Sequence, residues 1–408
     1  MKGKKIAIIG GGAAGFFAAI RLGKTLPPES VHIFEKTNKV LSKVKVSGGG
    51  RCNVTHACFN PAELVQFYPR GMKELRGPFS KFGPTDTIEW FKNRGVALKT
   101  EPDGRVFPES DSSQTIIDTF LKETNEAGIE VHLSKTLTDF NPIDNKWSLV
   151  FNEKEEMLFD AVFIAPGSSS SLWKILESKG VQIIPPVPSL FTFNISNKDL
   201  HALSGLSIPK VRLSITGKKN ETEGPLLFTH WGMSGPAILK LSSFEARYLH
   251  QQNYRFDIEL NFIPDVDDPE NEINEFKRLN HRKQTGSISA FSTLPKRFWH
   301  FVLQKAEIDE EKNWADISNQ KLERLIHELT EGIYKVNGKS VFKDEFVTAG
   351  GVSLKEINFS DYSCRKLPGV FLGGEFLDVD AVTGGFNFQH AWTSGYLAAE
   401  GILNYIKK

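Results

Sequence analysis

Cysteine is scarce in this chain. There are three in 408 residues, Cys52, Cys58 and Cys364, and no CxxC pair among them. That excludes a disulfide framework and points to a reducing, cytoplasmic setting. An excess of either charge is also missing. Fifty Lys and Arg against 49 Asp and Glu leave a formal net charge of +1, so no global field draws in nucleic acid or an anionic membrane, although a local patch could. No apolar run approaches the ~20 residues that span a bilayer. The basic start MKGKK resembles a secretory signal, but the apolar run IAIIG behind it is far too short and enters a glycine turn at once. Internal repeats and low-complexity tracts are absent. Neither an HExxH nor a GxSxG occurs, which leaves a catalytic zinc or a Ser-His-Asp hydrolase without support. What is present is ordinary globular material, 40% hydrophobic and 24% charged, in a chain long enough for two or three domains.

The first informative stretch is Lys5–Ile9, which reads as a strand buried on both faces. Gly10-Gly11-Gly12-Ala13-Ala14-Gly15 follows, then FFAAIRLGKTL with helical apolar spacing, then a second apolar run, Val31–Phe34, ending at Glu35 and Lys36. This is the strand, glycine turn, helix, strand and acid order of a dinucleotide site. Gly10 permits the tight turn, Gly12 lets a pyrophosphate approach the backbone, and Gly15 lets the helix pack on the strand. The helix N-terminus, opening at Ala13 and Ala14, offers unpaired N–H groups and the positive end of its dipole. Glu35 stands 20 residues beyond Gly15, where a carboxylate can accept from ribose hydroxyls. The motif alone does not separate FAD from NAD. It occurs once, whereas a reductase with separate FAD and NAD(P)H folds would usually show it twice.

The far end of the chain decides between them. Val370–Leu372 reads as a buried strand leading to Gly373-Gly374-Glu375, and Gly384-Gly385-Phe386-Asn387 opens a helix running to about Ile402. In flavoproteins with extended FAD, a late strand brings an acid to the ribityl hydroxyls and a glycine-opened helix aims its N-terminus at the flavin pyrimidine. Glu375 and Gly385 suit those two roles, and the helix end would stabilise negative charge on reduced flavin. Between the two ends, Ser47-Gly48-Gly49-Gly50-Arg51-Cys52-Asn53 suits a loop pressed against a ligand, with Arg51 or Lys43 as a phosphate or flavin contact. A plain structural turn with a surface arginine explains the same residues.

The chain resembles the BaiN-like and aminoacetone-oxidase-like family of bacterial flavoproteins. The matching pieces are GGGAAG at Gly10, SGGGRCNVT at Ser47, EPDGRVFPES at Glu101, LLFTHWGMSGPAIL at Leu226, VTAGGV at Val347 and GGEFLDVDAVTGGFNFQHAWTSG at Gly373. The resemblance implies an α/β fold: a Rossmann-like, three-layer FAD-binding fold with a parallel sheet, interrupted by an inserted β-barrel that carries a small helical subdomain. It also implies a backbone contact to adenine at Leu137, and flavin contacts at Ala165-Pro166-Gly167 and at Asn387 through backbone and side chain. The sequence departs from the family in four places, one of them a segment after Gly167 that is shorter than usual and lacks a glycine-rich stretch. Leu41-Ser42 stands before Lys43 where Gly-Arg is usual, His56 replaces a common Asn, and Ala165-Pro166-Gly167-Ser168 replaces an alanine–threonine–glycine–glycine turn.

The expected organisation is a first FAD segment at 1–188, an insert at 189–345 with helices at about 266–331, and a second FAD segment at 346–408. Trp147–Phe151 and Leu158–Phe159 suggest a hairpin on the nucleotide domain. Pro185-Pro186-Val187-Pro188 reads as a stiff exit from it, and Leu190–Ile195, Lys210–Thr216 and Tyr254–Phe262 read as strands of the insert.

His230, on a loop before Ser234-Gly235-Pro236, is a candidate for acid–base work or for capping a turn. Asn387 is the second candidate near the chemistry. His390 and Cys52 read more readily as packed groups than as reactive ones. The basic run Lys277–Lys283, with Lys296 and Arg297, is a solvated helix face or an RNA docking patch.

The resulting expectation is an FAD-dependent oxidoreductase moving hydride between flavin N5 and a small or medium organic substrate, an amine or a conjugated C=C compound, with NAD(P)H or dioxygen closing the cycle. The alternatives are flavin-dependent reduction of a uridine in ribosomal RNA and a flavin-binding protein without turnover.

Overall fold

The computed structural model describes residues 3–340 and 347–407. The chain divides into two compact units, Met1–Pro186 with Val347–Lys408, and Val187–Phe346.

The first unit is built on a seven-stranded sheet. From one edge to the other its strands are Ile357–Asn358, Ser363–Cys364, Val370–Leu372, Ala161–Ile164, Ile6–Ile9, Val31–Phe34 and Glu130–His132. The last five are parallel, with Ile6 level with both Ala161 and Val31. The four central strands are apolar throughout except for His32 and are buried along their whole length, as expected for parallel strands covered on both faces. Ala13–Gly23 and Phe386–Tyr405, the helices that follow the first and last parallel strands, lie against each other. Gly395 is required at their crossing, since a Cβ there would fall 2.6 Å from the Ala14 carbonyl. Phe17, Trp90, Phe120 and Trp392 stack in the same layer, with centroids 4.6 Å apart for Phe17–Trp90 and 5.5 Å for Phe17–Trp392 and Phe120–Trp392.

Two smaller sheets complete this unit. The hairpin expected at Trp147–Phe159 is part of a three-stranded meander, Leu137–Ile143, Lys146–Phe151 and Glu155–Phe159. Thr55–His56, Arg105–Pro108 and Leu98–Thr100 form the other. The proline run Pro185–Pro188 lies inside a strand, Ile183–Ser189, that pairs with Val347–Val352. The division between the two units falls within this strand, between Pro186 and Val187, so the stiff exit from the first unit is a paired sheet element.

The second unit holds an antiparallel sheet in the order Gly332–Val336, Phe256–Asn261, Ser207–Ile215, Glu221–Thr229, Gly232–Ser234, Phe193–Asn194 and Gly338–Lys339. Its two outermost strands are one stretch of chain, separated only by Asn337, so the sheet curls until its edges meet along that stretch. The strand expected over Leu190–Ile195 shrinks to Phe193–Asn194, because Leu190 takes a left-handed conformation (φ 55°) that breaks the extended run. Helices Pro269–Leu279, Lys296–Lys305 and Asn319–Thr330 occupy the expected helical stretch. Their apolar faces join the sheet in one core that includes Phe228, Phe262, Phe298, Trp299 and Trp314. Among the described residues no helix is long and apolar enough to cross a membrane.

Candidate active site

The three motif glycines of the first turn, Gly10, Gly12 and Gly15, meet different surroundings, while Gly11 beside them packs on Val40 and Glu35. Gly10 has φ 113°, and a Cβ on it would lie 2.4 Å from the Ala165 carbonyl, where the neighbouring strand ends. At Gly15 a Cβ would come within 2.0 Å of the Gly10 carbonyl, so the helix can approach the strand only without one. At Gly12 a Cβ would meet no protein atom within 4 Å. Gly12 is also the residue that opens helix Ala13–Gly23, whose first N–H groups lack helical partners. The turn is thus packed on protein at two positions and open at the third, the one that faces a pyrophosphate in this motif.

Glu35 is held ready at the end of the second strand. One carboxylate oxygen accepts from the Gly11 N–H (2.9 Å), the other from the Thr37 N–H and hydroxyl (both 2.9 Å). Lys36 follows in the open. Leu137 is buried at the start of the meander, level with Phe151.

The glycine run after Lys43 winds left-handed. Hydrogen bonding extends a helix over Ser42–Gly50, but Ser47 is extended and Gly48, Gly49, Gly50 and Cys52 have φ between 57° and 84°. Gly48 packs on Asn53 and Phe107, whereas Gly49 and Gly50 face open space. Arg51, expected at a phosphate or the flavin, donates to Glu101 (2.7 Å), lies 3.6 Å from Asp111 and stacks over Phe107. This binds the glycine run to the EPDGRVFPES segment. Cys52 is fully enclosed, and burial pushes its thiol up to about 12. It is a packed, unreactive group.

Residues from both chain ends and the middle meet at Glu375. The Lys43 ammonium pairs with one of its oxygens, and the Thr348 N–H donates to the other at 3.3 Å. Gly167 (φ 72°), just beyond Ala165 and Pro166, sits against the same carboxylate. Beside it, the Gly374 N–H donates to Ser394 Oγ at 3.0 Å.

Helix Phe386–Tyr405 starts from Gly384 (φ 131°) and Gly385 (φ 89°). A Cβ on Gly385 would lie 2.6 Å from the Thr55 carbonyl and 2.7 Å from Asn53 Oδ1. With its amide turned so that both atoms find partners, Asn53 accepts from the Gly385 N–H (3.0 Å) and donates to the Thr55 and Val106 carbonyls (2.9 and 3.2 Å). Tyr68 donates to the Phe386 carbonyl at 2.6 Å, and Trp392 to the Val54 carbonyl at 2.9 Å. The Asn387 side chain is committed to the loop before it, accepting from the Ala381 N–H and donating to the Ala381 carbonyl, both at 3.0 Å. It shapes that loop with one N–H and one oxygen site, and the amide keeps a second of each.

Sequence reasoning passed over two residues here. Arg70 makes a buried two-point ion pair with Asp380 in that same loop. Nothing in the sequence signals a partner 310 positions away. His56, noted only as a departure from the family, stacks on Phe386 (centroids 4.6 Å apart) next to Gly384. Its Nε2 meets the Asp103 carbonyl at 3.1 Å and so carries the proton, while Nδ1 is buried without a protein partner. Burial lowers its pKa, against the opposing bond to Asp103. His390 is enclosed in the helix, and burial lowers it to about 3. His230 belongs to the second unit, exposed on the turn between Glu221–Thr229 and Gly232–Ser234, its ring edge-on to Trp231.

A parallel sheet of this order, with a glycine turn after its first strand and a second glycine-opened helix supplied by the returning chain, is the Rossmann-like arrangement that FAD-dependent oxidoreductases use. The chain belongs to the family described as HI0933-like protein Rossmann domain, which it matches over residues 4–401. It is 29% identical over 408 residues to the ribosomal RNA dihydrouridine synthase of Haemophilus influenzae, covering 97% of both chains. It is 23% identical over 407 residues to the 3-dehydro-bile acid delta(4,6)-reductase of Clostridium scindens, covering 97% of this chain and 98% of that one. Among solved structures, the 3-ketosteroid-delta4-(5alpha)-dehydrogenase of Rhodococcus jostii RHA1 shares the fold at TM-score 0.51 and 10% identity, covering 97% of this chain and 96% of that one. The open conformation of a flavocytochrome c3 fumarate reductase does so at TM-score 0.51 and 12% identity, with 99% and 79% covered.

Proposed function

We propose that this protein reduces a carbon–carbon double bond conjugated to a carbonyl, using FAD as its redox group and a nicotinamide as its electron source. The observation that carries this reading is the helix start at Gly385, fixed by Asn53, Tyr68 and the Arg70–Asp380 pair and carrying first-turn N–H groups without helical partners. Its positive dipole end is preorganised for negative charge.

The residues fit the cofactor. Gly12 leaves room where a pyrophosphate would lie, Glu35 is oriented for ribose hydroxyls, and Lys43, Gly167 and Glu375 gather where the ribityl chain would pass. When bound and reduced by the nicotinamide, the flavin would supply a hydride to one carbon of the double bond. The second carbon needs a proton. His230 is the candidate from the second unit. The two relatives named above favour reduction over amine oxidation, since both names denote reduction, one forming dihydrouridine and the other acting on a delta(4,6) bile acid.

A second reading takes a uridine of ribosomal RNA as the substrate. The name of the 29%-identical relative favours it, and so does an exposed basic turn on the second unit formed by Arg278, His281, Arg282 and Lys283. The test is anaerobic. FAD-loaded protein is mixed with NADH or NADPH while the oxidised-flavin band is followed. The bleached enzyme is then offered a panel of enones and, separately, ribosomal RNA lacking dihydrouridine. Bleaching followed by enone-dependent recovery supports the first reading, and recovery with RNA alone, weakening with salt, supports the second. No bleaching with either nicotinamide would remove the reductase cycle as written.

A further inference from the structure

Outside the flavin site, the first unit brings three ligand-type side chains to one point on its sheet. His32 lies on the buried strand Val31–Phe34, while Glu130 and His132 lie on the edge strand Glu130–His132 beside it. The parallel register sets His32 level with Glu130. Alternation along the edge strand puts His132 on the same face as Glu130. His32 Nδ1 is 3.2 Å from Glu130 Oε2 and 3.3 Å from His132 Nε2, and the latter two atoms are 3.2 Å apart.

Those three distances form a nearly equilateral triangle. A tetrahedral cation with ligand bonds of about 2.0 Å has ligand atoms about 3.3 Å apart, so the triangle matches one face of that tetrahedron. Hydrogen bonding accounts for the cluster less well. Both imidazoles would have to donate to a single carboxylate oxygen, at distances longer than the ~2.7–2.9 Å of a charge-assisted bond, with their nitrogens still facing each other at 3.3 Å. The His32 ring is 3% exposed and its Nε2 has no protein partner, so all its polar contacts are directed through Nδ1 into the cluster. The ring of Phe34, stacked on His132 at 4.7 Å, fixes that imidazole from the side. The Glu130 and His132 side chains are 42% and 27% exposed, which leaves solvent access for a fourth ligand.

We propose that His32, Glu130 and His132 bind one divalent transition cation of zinc type, with water as the fourth ligand. The ion would act as a clip between the two strands that carry its ligands. It would fasten the three-residue edge strand to the sheet beside Glu35, whose N–H already donates to the His132 carbonyl (2.9 Å). Nickel and copper ions suit the same donors.

The test uses full-length, FAD-loaded protein stripped with a chelator, then titrated with Zn²⁺ and separately with Co²⁺. The expected result is one ion per chain, tetrahedral-type visible bands for Co²⁺ that Zn²⁺ displaces, and a melting temperature that rises with Zn²⁺. Glu130→Gln and His132→Ala should each weaken Zn²⁺ binding at least about 100-fold while keeping the flavin spectrum and the metal-free melting temperature of wild type. His300→Ala, which removes a histidine–glutamate pair on another part of the chain, should leave binding unchanged. Absence of one-to-one binding, or binding that survives both ligand substitutions, would overturn the proposal.

Discussion

Two helices of the first unit begin at glycine turns, and the two beginnings are built differently. At Gly12 the chain leaves space: no protein atom would touch a Cβ there, and the backbone (φ −100°, ψ −168°) is one that any residue adopts. At Gly385 the chain leaves none: φ is 89°, and the Thr55 carbonyl and Asn53 crowd the α-carbon. One glycine answers to a ligand and the other to the protein. The first turn can bind phosphates with its own N–H groups and needs only clearance. The second must hold a dipole end at a fixed place, and the protein spends Asn53, Tyr68, Arg70 and Asn387 in doing so.

The sharpest way to break the comparison is at Arg70. Asp380 is fully buried and Arg70 nearly so. Replacing Arg70 with Met strands a buried carboxylate and should cost about 3–5 kcal/mol in denaturant unfolding of the cofactor-free protein. A loss below about 1 kcal/mol would mean that the loop before Gly385 is not anchored by this pair.

His390, one turn into the same helix, should show in the acid limb of stability. Its folded pKa of about 3 lies below the ~6.5 of an unfolded histidine. The unfolded chain therefore takes up a proton that the native helix refuses. The contribution is complete above about pH 6.5 and falls away as the pH drops towards 3, by up to about 4 kcal/mol. His390→Leu, which fills the enclosed site without titrating, should flatten the wild-type loss over that range. Parallel acid limbs for the two proteins would show that His390 is protonated in the fold.

Asn53→Ala comes next. It removes the acceptor for the Gly385 N–H and the donors to Thr55 and Val106. The expected loss is about 2 kcal/mol, with weaker FAD binding, since the helix start is no longer held in place.

The contrast between the two turns also marks how far the sequence could be read. The GGGAAG turn, the apolar strands on either side and Glu35 were legible because local spacing alone specifies them. So was the glycine opening of the last helix. The pairings Lys43–Glu375, Arg70–Asp380 and Arg51–Glu101 were not, because they join residues 332, 310 and 50 positions apart and periodicity says nothing about partners. An arginine after three glycines, for example, gives no hint that Arg51 pairs with Glu101. Leu190–Ile195 failed differently. Its composition is that of a strand, and only the left-handed backbone at Leu190 cuts it short.

The smallest effect on the protein alone is expected at Gly12. Gly12→Ala adds a methyl group into open space at an unstrained position, so the melting curve of the cofactor-free protein should stay within about 0.5 kcal/mol of wild type. The methyl would stand where a pyrophosphate approaches the backbone, so FAD affinity, measured by fluorescence titration of cofactor-free protein, should fall at least about tenfold. Gly10→Ala supplies the contrast. There the new carbon meets the Ala165 carbonyl at 2.4 Å, and the stability of the cofactor-free protein itself should drop. If Gly12→Ala bound FAD as tightly as wild type, the first turn would be a glycine turn like the second, shaped by protein contacts, and the phosphates would have to be held elsewhere.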